Sequence, residues 1–210
     1  VAQRAKYDAI WENFGLLLKE GYYHSDAKIK DVLLPLLRFN ALKHENSQQC
    51  MSLQAYKDAM PEGQDTIWFI TAPDRESGLQ SPALEAFKSK GWDVILLTDP
   101  VDEWLVMALT EFDGVPLKSA TRGELDLNEG EDAAEQPELE GLVPWMEETY
   151  AGRVSGVRTS SRLTESACVL VDTEDGLSSN MERILAGDSR SAAVPQSSHR
   201  PRMASWTRLL

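Results

Sequence analysis

Two short apolar runs, each followed by a capped helical pattern, constrain the fold of this chain more than any other feature. "DTIWFITA" (65–72) and "WDVILLTD" (92–99) are β-rich and apolar, and each reads as a buried strand. Between them lies "SPALEAFKSKG" (81–91). It has a Ser N-cap, a Pro in the first helical position, Leu84 and Phe87 facing inward, and Gly91 at the C-terminal end. Asp99-Pro100 repeats the cap-plus-proline device and opens a second helix. Strand, helix, strand, helix at this spacing is a βαβ arrangement, so the sheet is expected to be parallel at its centre. "VPLKSAT" (115–121) is a weaker strand candidate.

The flanks read differently. Tyr7, Ile10, Trp11, Phe14, Leu17 and Leu18 mark one face of an amphipathic helix, with Gly21 placed to end it. Ser25 or Asp26 caps a second helix whose expected buried stripe is Ile29, Val32, Leu33, Leu36 and Leu37. Pro35 inside that stripe should kink or shorten it. "SLQAYKDAM" (52–60) is a third, short helix with Ser52 as N-cap. From Gly123 to Glu140 eight acidic residues occur with no Lys or Arg between them. Such a run repels itself and reads as a solvated linker and domain boundary. Beyond it, 139–152 suggests a helix, "VSGVRTSSRL" and "ACVLVDT" suggest strands, and "SSNMERILAG" (178–187) a capped helix. The last stretch reads as a basic tail with no core to complete. The expected class is therefore α/β: N-terminal helices, a small αβα layer unit, an acidic linker, and the start of a second α/β unit.

The formal net charge of −13 argues against a nucleic-acid partner, because phosphate binding needs a basic face. No apolar run reaches the length of a membrane span, and the N-terminus has no signal-peptide pattern. Val1 opens directly into helix-like sequence without an initiator Met, so the expectation is a piece of a longer chain. Cys50 and Cys168 lack CxxC spacing and read as free thiols, which fits a reducing cytoplasm. His24, His44 and His199 are isolated and lack metal-ligand spacing. Phosphate-cradling glycine loops and the GxSxG elbow are both absent. The serines of "RTSSRLTES" have no histidine nearby in sequence to act as base. In an open parallel sheet, ligands bind where strand ends meet helix N-termini, here the turns 71–78 and 98–100. One functional reading is thus a stand-alone doubly wound domain binding a small ligand at those turns.

The helix after Asp99 poses a separate question. At roughly 100° per residue, Val101, Leu105, Ala108, Leu109 and Phe112 cluster on one face. Trp104 falls about 70° from the centre of that face, and Met107 and Glu103 lie further toward solvent. From the residues alone Trp104 is either a border core residue or an apolar contact left for a partner, with the core reading favoured.

Several segments in order, "YDAIWENFGLLLKEGYY", "LLPLLRFN", "SLQAYKDAMPEGQDTIWFITA", "SPALEAFKSKGWDVILLTDPVDEW" and "VRTSSRLTESACVLV…MERIL", together resemble the 90-kDa heat-shock protein chaperones, most closely the bacterial type. The match runs from about residue 5 to 187. It implies an ATP-dependent homodimeric chaperone, of which this chain covers the later middle domain (1–122, helical to 62 and αβα from 63), the acidic linker (123–138) and the start of the C-terminal domain (139–187). The family's ATP and Mg site and its catalytic arginine fall outside these segments. The resemblance therefore implies no catalytic, cofactor or metal residue and no ATP hydrolysis by this chain alone. It implies a cytoplasmic location, with unfolded or partly folded clients and the rest of its own chaperone chain as partners. It also implies that Glu103 and Trp104, with Met107 three residues on, belong to a client-contact surface. In the family a polar residue can stand at the position of Met107. The run 188–210 departs from the family pattern, and there the resemblance stops implying dimer contacts.

Overall fold

The structure, a computed structural model, describes residues 2–46, 48–122, 141–160, 162–173, 176–188 and 202–206. The acidic run and most of the last stretch lie outside the described residues. The chain divides into two compact units, 1–79 with 92–119, and 80–91 with 120–210.

The first unit begins with helix α1 (Ala2–His24), which passes through Gly21 instead of ending there. A Cβ at Gly21 would meet Leu33 Cδ1 at an ordinary contact distance of 3.6 Å, so the helix neither stops here nor needs a glycine for room. Helix α2 (Ala27–Leu33) is capped by Asp26, whose carboxylate accepts the Ile29 N–H at 3.1 Å. Pro35 then tightens the chain into a 3₁₀ turn, Leu34–Leu36. The expected buried stripes hold only in part. Trp11, Leu18 and Leu33 pack on the core and Leu37 is fully buried, but Ile10, Phe14, Leu17, Ile29 and Val32 are exposed. Strand β1 (Asn40–Ala41) follows, then helix α3 (Leu53–Asp58), capped by the Ser52 hydroxyl on the Ala55 N–H at 3.1 Å.

The strand expectations hold. β2 (Ile67–Thr71), β3 (Ile95–Leu97) and β5 (Val115–Ser119) are parallel neighbours, with β2 in the centre. Two-residue strands close the edges: β1 lies antiparallel to β3, and β4 (Glu111–Phe112) antiparallel to β5. β2 and β3 are buried on both faces apart from half-buried Thr71, which is why they read as unbroken apolar runs. Helix α4 (Arg75–Leu79) and helix α6 (Asp102–Ala108) follow β2 and β3. α6 is shorter than its pattern suggested. Phe112 belongs to β4, where Asp113 and Gly114 take positive φ to turn the hairpin. The core gathers Tyr22, Leu37, Phe39, Leu53, Tyr56, Ile67, Phe69, Ile95, Leu97, Leu105 and Leu109. Burial pushes the Tyr56 phenol up to about 12, and its hydroxyl donates to the Asp93 carbonyl and accepts from Gln64 Nε2 at 3.0 Å.

In the second unit, the crossover segment folds as a 3₁₀ turn (Pro82–Leu84) and helix α5 (Glu85–Lys90), ended by Gly91 at φ 65°. Leu84 and Phe87 are fully buried, as their spacing predicted. Helix α7 (Leu142–Thr149), strands β6 (Val154–Thr159) and β7 (Cys168–Val171) and helix α8 (Ser179–Asp188) match the sequence expectations. Ser178 caps α8 by accepting the Met181 N–H at 2.9 Å. The expectation of a tail fails at β8 (Arg202–Trp206). This strand is the middle of a three-stranded sheet, parallel to β6 and antiparallel to β7. Alternation along β7 buries Val169 and Val171 and exposes Cys168 and Leu170, the mark of a sheet with one packed face.

Candidate functional site: the helix after β3

The turn that opens α6 is built from two aspartates and a lysine. The Asp102 carboxylate accepts the Asp99 N–H at 3.0 Å, and the Asp99 carbonyl accepts the Asp102 N–H at 2.9 Å. The Asp99 carboxylate is thus not the helix cap that the sequence suggested, and no side chain caps α6. The reason lies on α1. Lys19 Nζ stands 2.7 Å from Asp99 Oδ2 and 2.7 Å from Asp102 Oδ1, drawing the Asp99 carboxylate away from the helix. The Asp102 Oδ1 contact is an ion pair whose geometry falls short of a hydrogen bond. Lys19 also lies over the rings of Trp11 and Phe39, at 5.9 and 5.7 Å from their centroids.

One ammonium here serves two carboxylates. Burial works against the charged lysine, but Asp102 and Asp99 together outweigh it and hold Lys19 above the ordinary lysine range. Burial pushes the Asp102 carboxyl up, and the second negative charge on Asp99 adds to that while Lys19 opposes it. Removing Lys19 would strand the Asp102 carboxylate in the interior.

This anchor fixes which faces of α6 look in and out. Leu105 and Leu109 are buried in the core, and Val106 and Ala108 pack against it. Trp104 is half-buried and is not among the side chains packed on that core. Met107 is 65% exposed. Glu103 departs from the helical-wheel expectation: at 5% exposure it faces inward and not toward solvent. The structure therefore brings Trp104 and Met107 toward the surface and takes Glu103 into the protein. The Lys19 partnership escaped the sequence reading. Its signal was present, since Lys19 shares the α1 face of Trp11, Leu18 and Tyr22.

The strand-end turns proposed for a small ligand are occupied by internal bonds. At the first, Asp74 accepts from Ser77 N and Oγ at 2.8 and 2.9 Å, and Arg75 Nε donates to Asn40 Oδ1 at 2.9 Å. At the second, Asp99 is held by Lys19. Among the described residues no group of His, Cys, Asp and Glu is placed to hold a metal ion, and no helix is long and apolar enough to cross a membrane.

The Hsp90 protein family profile matches residues 1–207, and the chain belongs to that family. Among curated relatives it is similar to the chaperone protein HtpG of Cupriavidus taiwanensis, 40% identical over 203 residues. It is likewise similar to HtpG of Methylococcus capsulatus, 42% identical over 187 residues, and of Mycobacterium leprae, 44% identical over 187 residues. These alignments cover 92%, 86% and 85% of this chain but only 32%, 29% and 28% of the relatives, so the chain spans about a third of their length.

Proposed function

We propose that this chain is a client-contacting segment of an ATP-dependent, homodimeric cytoplasmic chaperone, and that α6 carries the contact. One observation carries the reading: on a single short helix, Leu105 is 1% exposed while Met107 is 65% exposed beside a half-buried Trp104. A helix that locks one face into a core and leaves a thioether and an indole accessible offers adaptable apolar area to many partners. Glu103, at 5% exposure, offers this surface little contact area. Clients are unfolded or partly folded chains. The other partner is the remainder of the chaperone, where ATP and Mg bind and hydrolysis takes place. Trp104 and Met107 supply contact area and no step of that chemistry.

The experiment is suppression of aggregation of an unfolded model protein by this chain. The expected result is measurable suppression that is lost on Trp104→Arg, with no nucleotide hydrolysis by either protein. ATP turnover by the chain alone, or suppression unchanged by Trp104→Arg, would overturn the reading.

A further inference from the structure

The crossover segment 80–91 lies in sequence between β2 and β3, yet it belongs to the second compact unit. Contacts of Ala83 and Glu85 within that unit help to hold it. Ala83 shares an apolar cluster with Leu163, Val169 and Val171. Glu85, in the first turn of α5, gives its carboxylate to three consecutive backbone amides about eighty residues away. Oε2 accepts the Thr164 N–H at 2.6 Å and the Glu165 N–H at 2.9 Å. Oε1 and Oε2 share the Ser166 N–H at 3.1 and 3.3 Å, and the Thr164 hydroxyl lies 3.4 Å from Oε2.

Successive amides pointing at one spot form a concave anion site. Here the anion is a side chain of the same protein. Partial burial disfavours the charged carboxyl, but the amides of Glu165, Thr164 and Ser166 and the Ser166 side chain together pull Glu85 down to about 2. The carboxylate also sits at the N-terminal end of α5, where the helix dipole favours negative charge.

We infer that Glu85 is a conformational latch: its carboxylate, seated in the 164–166 amide nest, holds the crossover helix α5 in the second unit. Without the carboxylate, the 164–166 turn and α5 lose their shared restraint and open together. A small carboxylate from solution can then occupy the emptied nest.

Amide hydrogen exchange of the whole 210-residue chain tests this. In Glu85→Ala, the amides of 164–166 should exchange at least ~10-fold faster, as expected for loss of hydrogen bonds to a charged acceptor. The α5 amides 86–90 should speed up with them, while 67–71 and 95–97 stay protected. Molar acetate should restore protection at 164–166 in Glu85→Ala and leave the parent unchanged. If Glu85→Ala loosens 67–71 as well, Glu85→Gln decides: the same two segments should speed up several-fold. Unchanged exchange at 164–166, faster exchange there with α5 unaffected, or no acetate rescue would each overturn the latch.

Discussion

Lys19 Nζ lies 2.7 Å from Asp102 Oδ1, and the two side chains are 6% and 1% exposed. This pair joins the long first helix to the first turn of α6, and so sets where Trp104 and Met107 point. Breaking a buried pair by removing one partner costs about 3–5 kcal/mol, because the other charge is left uncompensated. Lys19→Met should destabilise the first unit by about that amount. Lys19→Met combined with Asp102→Asn should recover a substantial part of the loss. Urea unfolding of the parent, both single variants and the double variant gives the coupling. Simple additivity would mean that the pair is not the anchor.

The two faces of α6 should respond oppositely to truncation. Leu105→Ala removes a fully buried side chain and should cost about 2–5 kcal/mol. Met107→Ala lies at the surface and should stay within about 0.5 kcal/mol of the parent. Thermal or denaturant melts check both. Equal costs would place Met107 in the core.

The Glu85 latch has a pH signature whose sign follows from its lowered folded-state pKa. A carboxyl depressed from 4.5 to about 2 contributes stability that is fully present above the unfolded value and is lost as pH falls through the folded one. The stability gap between the parent and Glu85→Gln should therefore be constant above roughly pH 5.5, narrow between there and pH 2, and vanish below it. Melts of both proteins across that range measure it. A gap that widens in acid would contradict the assignment.

Gly91 ends α5 at φ 65°, a conformation that side-chain-bearing residues adopt at a cost. No neighbouring atom lies within 4 Å of a side chain built there, so the penalty is conformational and not steric. Gly91→Ala should destabilise by about 1 kcal/mol, and Gly91→Asn by less, because Asn tolerates the left-handed region better. Matched melting temperatures for parent and Gly91→Ala would refute this.

The fold was legible where local chemistry and burial agree. β2 and β3 are short, continuous and apolar because both their faces are covered, and Ser52 and Asp26 cap helices as their positions suggest. It was not legible where a distant partner decides. β1 and β4 have two residues each, too few for a periodic signal, and exist because β3 and β5 offer edges. β8 pairs with strands that lie more than thirty residues before it. Gly21 has the composition of a helix stop but lies inside α1, where the helical sequence on both sides overrides its propensity.

The candidate site divides in the same way. Helical periodicity separated Leu105 from Trp104 and Met107, because α6 is a regular helix with one core face. Glu103 was misplaced because a wheel assigns acids to solvent and carries no information about what covers them. The Lys19 and Glu85 contacts bridge 80 and about 80 residues of chain, and nothing local in either residue names its partner.

The central claim is that the exposed edge of α6 binds unfolded chains. Its most direct test is the affinity of a permanently unfolded, reduced and alkylated model protein for this chain, read by fluorescence anisotropy. Parent, Trp104→Arg and Met107→Asp are compared at matched ionic strength, with melts confirming that each variant stays folded. At least a ~5-fold weaker affinity for each variant, about 1 kcal/mol, with unchanged melting is the predicted result. Equal affinity of all three folded proteins would contradict the account.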